Sequence, residues 1–246
     1  MYLHKLKQFT TMKKSLSLRT AGLALAAGLA LASCNQAPKE GDKATITDQK
    51  AAADASGQTF AVDTAASLVE FTGNGVGKNH PGTFKLTSGS VAVADNQITG
   101  GEFTINIKSL TMKEQGEMFQ TKLKPHLLSG DFFDVDKFGT AKFEITKVEP
   151  YKADGKDTSL VEGANFSVSG NFTLKGVTKN ITFPARIELD ENTMEAEANF
   201  NIDRRQWQMN YGNDKTLGDK FISETVNIEL DLEARKQGGA ATASVQ

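Results

Sequence analysis

Apolar and polar residues alternate with period two along most of the chain between Gln58 and Arg235. In "FSVSGNFTL", Phe166, Val168, Gly170, Phe172 and Leu174 share one face, and in "ITFPARIEL" Ile181, Phe183, Ala185, Ile187 and Leu189 do the same. "MEAEANFNI" turns Met194, Ala196, Ala198, Phe200 and Ile202 one way and Glu195, Glu197, Asn199 and Asn201 the other. "VNIELDL" repeats the device with Val226, Ile228, Leu230 and Leu232. Strict alternation of this kind marks strands with one apolar and one wet face. Weaker versions predict further strands at 59–63, 67–76, 82–94, 97–108 and 140–149. Turn signals at Asp95-Asn96, "KGVTKN" and "DEN" separate the runs at hairpin distances. Pro184 lies inside a strand pattern, which predicts an edge, a bulge or an irregular ladder there.

Eight or nine antiparallel strands in one open sheet would leave exposed edges, and closure into a barrel removes them. An eight-stranded barrel is the size that encloses either packed side chains or one small ligand; a β-sandwich satisfies the same pattern. One segment breaks the alternation. In "EMFQTKLKPHLLSG", Phe119, Leu123 and Leu127 recur four apart, with Pro125 between them. Proline is tolerated in a first helical turn and costs about 3 kcal/mol in a helix interior, so Pro125 begins a second short turn. The expectation is a short helix lying across the barrel mouth, with a surface loop as the plainer alternative.

The two ends of the chain read differently. Residues 1–33 contain no acid and carry Lys13, Lys14 and Arg19 ahead of the apolar run Ala21–Ala32. A basic stretch, a short apolar run and small residues before a cleavage point make a secretory signal, and the run is shorter than the roughly 20 residues that span a bilayer. Met12 is the better start of such a signal. The single cysteine, Cys34, follows in "LASC", where it is expected to become the acylated first residue of an exported bacterial lipoprotein. That places the chain in the cell envelope, on the periplasmic face or the outer-membrane surface, with the membrane as a partner through acylated Cys34. Residues 34–57 are nearly free of large apolar side chains and read as a flexible tether, with an r.m.s. reach of roughly 25–30 Å. The folded domain is expected over 58–235, followed by a disordered tail at 236–246.

Losing residues 1–33 takes away Lys5, Lys7, Lys13, Lys14 and Arg19, so 28 basic residues fall to 23 against 30 acids, a net charge of −7. So acidic a chain has no electrostatic footprint for nucleic acid. Catalytic constellations are scarce. His80 and His126 are isolated, and Asp131, Asp134 and Asp136 in "SGDFFDVDKF" lack the register of a calcium loop. "SGD" suits a helix C-terminus followed by an Asx-type turn, so the acids are expected to stay wet while the neighbouring rings turn inward. No serine sits in a nucleophile elbow, and neither a catalytic nor a metal site is expected. Sequons at Asn165, Asn171 and Asn180 are compositional coincidences in such strands. What stands out is 15 phenylalanines against three tyrosines and one tryptophan. Phenylalanine brings no polar group with it, so these rings line an apolar tunnel or fill a solid core; on composition the two readings stand even.

The order of motifs resembles one family. "FAVDTAASLVEFTG", "NHPGTFKLTSGSV", "HLLSGDFFDVDKFGTAKFEI", "VSGNFTLKGVTKNITFPARIEL" and "NIDRRQW" follow one another over roughly Phe60 to Ala234 as in the YceI-like, polyisoprenoid-binding proteins. The chain departs from that pattern at Lys124-Pro125, where an Arg-Asp pair is common, and in the turn after "RRQW". The resemblance implies an all-β, extended, lipocalin-like antiparallel barrel of eight strands with a short helix near one opening. It also implies a long isoprenoid or other amphiphilic lipid threaded through the lumen; a prenyl quinone has the same apolar chemistry, and no cofactor is expected. Strand parity then nominates Phe71, Phe84, Phe103, Phe143, Phe172, Phe183 and Phe200 as lining, with Phe132 and Phe133 near the helix. His80, His126 and Arg204 are candidate headgroup contacts. The alternative is a non-enzymatic structural or interaction lipoprotein with a filled barrel; a hydrolase or metal-dependent enzyme finds no motif in its favour.

Overall fold

The computed structural model describes residues 43–75, 78–152 and 159–238. The expected signal segment, Cys34 and most of the tail lie outside these residues. Ten strands form one antiparallel sheet: β1 Thr45–Asp48, β2 Gln58–Val62, β3 Leu68–Gly75, β4 Lys78–Ala94, β5 Gln97–Met112, β6 Thr140–Pro150, β7 Phe166–Leu174, β8 Val177–Leu189, β9 Thr193–Asp203 and β10 Ile222–Lys236. Strands β3 to β10 pair in chain order, and β10 returns to β3, closing an eight-stranded barrel. β2 continues the position of β3 at the other end, pairing with Ser90–Val93 of β4 and Ala234–Lys236 of β10.

The tight turns follow from their residues. Asp95 and Asn96 take φ of +50° and +59°, and Lys175 and Gly176 take +50° and +73°, the left-handed pairs that two-residue hairpins need. A Cβ on Gly176 would stand 2.7 Å from the Phe138 ring. Register shifts in the β4–β5 and β6–β7 ladders bend the long strands around the barrel, as bulges do. Pro184 sits at a gap: β8 pairs with β1 through Thr182 and with β9 from Ala185 onward. Its missing N–H falls where β8 changes partner, so no ladder bond is lost.

The flexible tether expected over 34–57 is corrected for residues 43–57, which strap the outside of the barrel. Toward the mouth β8 and β9 do not pair with each other, and this segment fills the seam. β1 pairs with Lys179–Thr182 of β8, Lys43 bridges to Asn201 of β9, and the Ala44 N–H donates to the Asn201 carbonyl at 2.9 Å. Ala44 is buried and Ile46 packs on the core. The strap then crosses β7, where Asn171 Nδ2 donates to the Lys50 carbonyl (2.7 Å) and Asn171 Oδ1 accepts the Lys50 N–H (3.0 Å). It continues past Ile145, whose carbonyl accepts the Ala53 N–H at 3.0 Å. Low hydropathy misleads here because backbone pairing and one carboxamide hold most of the segment, with Ala44 and Ile46 its anchors in the apolar core. The sequon asparagines are part of the same architecture: Asn171 and Asn180 are buried, Asn180 Nδ2 donates to Thr146 and Asn171, and the Asn165 carboxamide clasps both backbone groups of Ile187.

A single-turn π-helix, Phe119–Leu123, runs into α1, Lys124–Leu128, with Pro125 in the first turn of α1. The backbone stays helical through the junction, and the π-turn just before Pro125 is where the i→i−4 ladder is already interrupted, so the proline is accommodated inside one continuous helical segment. Ser129 ends the helix, its Oγ donating to the His126 carbonyl at 2.7 Å. The acids beyond it find nearby partners: Asp131 lies 2.9 Å from His126 Nε2, and Asp134 pairs with Lys137 at 3.0 Å. Asp131 stays wet, whereas the Asp134 side chain is largely covered, at 18% exposure.

Candidate functional site

The inward faces of the closed barrel surround a cavity of about 440 Å³ that opens at the end bearing α1. Alternation puts the wall there: Phe71 from β3, Phe84 from β4, Phe143 from β6, Phe172 from β7, Phe183 from β8 and Phe200 from β9 all face it. Phe132 and Phe133 reach it from the turn after α1, Leu127 from α1 itself and Leu123 from the end of the π-helix. Phe103 faces a second, smaller space of about 80 Å³ deeper in the barrel. All nine nominated rings therefore lie on the lumen. From Ile222 to Leu232, both at cavity walls, β10 covers roughly 25 Å of axis at about 3.3 Å per residue and a tilt near 40°.

Several inward residues of regular strands, including Val226, Ile228, Leu230, Phe143 and Phe172, are only partly buried. They would be covered completely in a solid core; their residual exposure is to the lumen. The rings are nevertheless well supported. Phe71 stacks on Phe84 at 5.1 Å, Phe84 meets Phe133 edge-on at 5.5 Å, and Phe183 stacks on Phe200 at 4.1 Å. Offset and edge-to-face pairs add about 0.5–1.5 kcal/mol each beyond burial. Trp207 is fully enclosed behind this wall, its indole N–H donating to the Phe172 carbonyl at 3.1 Å.

The polar groups gather at the mouth. His80, His126 and Arg204 all line the opening, with Lys78 and Lys220. His80 Nδ1 lies 2.8 Å from Glu114, tying β4 to the segment before α1. His126 is held by Asp131 and packs edge-on against Phe132 at 5.2 Å and Tyr211 at 4.7 Å. Arg204 is the one charged side chain among the buried described residues. Its guanidinium donates to four backbone carbonyls: Ser223 (2.9 Å), Met209, Tyr211 (2.9 Å) and Ile222 (2.9 Å). Burial pulls its pKa down, opposed by the nearby Asp203 carboxylate, and it stays cationic because arginine does not deprotonate in proteins. Phe132 lies against it, ring centroid 5.8 Å from Cζ. Arg204 is thus a clamp joining the loop after β9 to the start of β10, with four of its five N–H groups donated to backbone carbonyls.

Asp203 caps the 3₁₀ turn Arg204–Trp207 and chelates Arg205. Burial would raise its pKa, but the hydrogen bonds and charges of Arg205, with the Arg204 charge, hold the carboxyl below its ordinary value. Lys175, which donates to the Gly130 carbonyl at 2.9 Å, has its pKa lowered by desolvation. Sequence reasoning missed Met209, Tyr211 and Phe221 at the mouth, because their irregular loop has no period to read. Three large apolar side chains remain exposed among the described residues: Met118 at the start of the π-helix, Tyr211 in the loop after Arg204–Trp207, and Leu217 in the 3₁₀ segment Lys215–Lys220.

A barrel with this lumen and mouth has known relatives. A UPF0312 protein of Vibrio vulnificus is 34% identical over 104 residues, covering 42% of this chain and 48% of that protein, so the match spans about half of that relative's length. A UPF0312 protein of Pseudomonas putida is 28% identical over 158 residues, 63% of this chain and 73% of the relative. Among solved structures, Burkholderia cenocepacia BcnA superposes with a TM-score of 0.55 at 19% identity, covering 70% of this chain and 98% of BcnA. A polyisoprenoid binding domain from Saccharophagus degradans, implicated in plant cell wall breakdown, gives 0.53 at 16% identity, covering 73% and 99%. At these identities the two structures speak for the fold alone. Residues 60–234 match the YceI-like domain, and with most of the chain inside that match, this protein belongs to the YceI-like family.

Proposed function

We propose that this chain is a membrane-anchored lipid-binding protein that sequesters or carries a long isoprenoid, a prenyl quinone or a similar apolar lipid in its barrel. The observation that carries the reading is the open, phenylalanine-walled lumen. At roughly 24 cal/mol per Å³ of empty apolar cavity, about 440 Å³ left dry costs on the order of 10 kcal/mol, as much as the whole stability of many domains. Water finds few partners on such a wall, whereas an apolar chain removes that penalty and contributes about 0.8 kcal/mol per buried methylene. The polyisoprenoid named for the Saccharophagus relative is a ligand of this chemistry. A purely structural module with a filled barrel is disfavoured by the same volume.

Cys34 supports the anchoring part: as the lone thiol behind a signal-like segment it is the site for acylation, in the envelope of an exported lipoprotein. With the strap bound to the barrel from Lys43 onward, the eight residues 35–42 lie between anchor and domain and extend at most about 28 Å, which keeps the mouth close to a bilayer. The binding reading is tested through Trp207, the sole tryptophan, which sits against Phe172 at 5.3 Å. Titration with ubiquinone is expected to quench its fluorescence saturably at micromolar concentration. Quenching no stronger than that of free tryptophan would overturn the proposal.

A further inference from the structure

The two spaces in the barrel are not independent: Val69, Ile105, Phe143, Phe183 and Leu230 wall both. Those five come from five strands and form a waist around the axis. On one side the waist is a half-collar of rings running from β5 to β9, strands four steps apart and so on opposite sides of the barrel. Phe103 meets Phe143 at 6.2 Å, Phe143 meets Phe183 at 5.8 Å, and Phe183 stacks on Phe200 at 4.1 Å. Phe143 and Phe183 stand on strands separated by β7, and their rings meet because β7 presents Gly170 between them. A Cβ at Gly170 would lie 2.2 Å from the Phe143 ring. The ring lies over the glycine, which leaves the lumen clear. Beyond the waist the deep chamber is apolar, bounded by Leu86, Val91, Ile145, Ala185, Met194 and Ala198.

We infer that Phe143 and Phe183 determine ligand length: the waist admits the end of a long tail into the deep chamber, and a tail too short to reach it fills the outer chamber alone. This inference rests on the reading of the lumen as a lipid site and adds to it which lipids are preferred. Filling an apolar void of about 80 Å³ is worth roughly 25-fold in affinity, and that is the advantage expected for a tail that passes the waist. Gly170 acts as a positioning residue, since a side chain there drives the Phe143 ring into the passage.

The test uses Nile red displacement from the purified full chain by geranylgeraniol and by the longer solanesol. The unaltered chain is expected to prefer solanesol by roughly 25-fold. Ala198→Phe, which fills the deep chamber, and Gly170→Ala, which narrows the waist, are expected to bring that ratio close to one. Phe143→Leu, which widens the passage and is the least disruptive to folding, is expected to raise it above that of the unaltered chain, with thermal unfolding confirming a folded barrel in each case. A ratio near one in the unaltered chain, or one that Ala198→Phe leaves intact, overturns the waist. Failure of both alcohols to displace the dye from the unaltered chain overturns the lipid-site reading instead.

Discussion

Arg204 is the residue whose replacement best separates a structural clamp from a ligand contact. Arg204→Met keeps the length of the side chain and its packing under Phe132 while removing every donor. Four backbone carbonyls, those of Met209, Tyr211, Ser223 and Ile222, then lose their partner. A buried acceptor left unpaired costs about 1–3 kcal/mol; with the lower figure, because the mouth admits water, the total is about 4 kcal/mol. Arg204→Lys is expected to recover only a part, since an ammonium cannot reproduce the planar fork. Chemical denaturation followed by Trp207 fluorescence measures the global loss, and amide exchange at residues 204–223 shows whether the mouth loop opens first. A stability change below about 1 kcal/mol in Arg204→Met, paired with lost discrimination between charged and neutral lipid headgroups, would refute the clamp and restore the role of headgroup contact.

Asn171→Ala removes both bonds to Lys50 and an acceptor of Asn180, so limited proteolysis is expected to cut within 43–57 at least tenfold faster while the eight-stranded barrel stays intact; unchanged protection would show that β1 pairing alone holds the strap. Asp203→Ala removes the cap of the Arg204–Trp207 turn and is expected to destabilise by about 1 kcal/mol at neutral pH. Because the folded pKa of Asp203 lies below its ordinary value, its contribution is complete above about pH 4 and is lost as pH falls through the folded value. The difference between native and Asp203→Ala melting temperatures should therefore shrink on acidification, and a difference that grows would contradict the assignment. Gly176→Ala, with φ of +73° and Phe138 in the way, is expected to cost about 1–2 kcal/mol in the same assay.

The strands were legible because a half-buried strand prints its period on the sequence; alternation alone fits a sandwich as well as a barrel, and the closed ring of eight came from the family resemblance. The lining was legible for the same reason: parity alone points Phe143, Phe172, Phe183 and Phe200 at the axis. Whether those rings leave a lumen depends on features with no sequence period, such as Gly170 beneath Phe143 and the partner change at Pro184. The strap escaped because its affinity is in backbone ladders and in Asn171, neither of which raises hydropathy. The sequence nominates Arg204 as a headgroup contact; only the loop folding back over it shows that four backbone carbonyls take most of its donors. Tyr211, Phe221 and Met209 reach the mouth from a loop whose path no alternation predicts.

The central claim is that the lumen holds an apolar chain, and the most direct measurement is native mass spectrometry of the full chain purified gently from its own cell envelope. The account predicts a protein carrying a stoichiometric extra mass, which organic extraction releases as a prenyl lipid. A chain found only at its own protein mass, including after incubation with ubiquinone or solanesol, would contradict it.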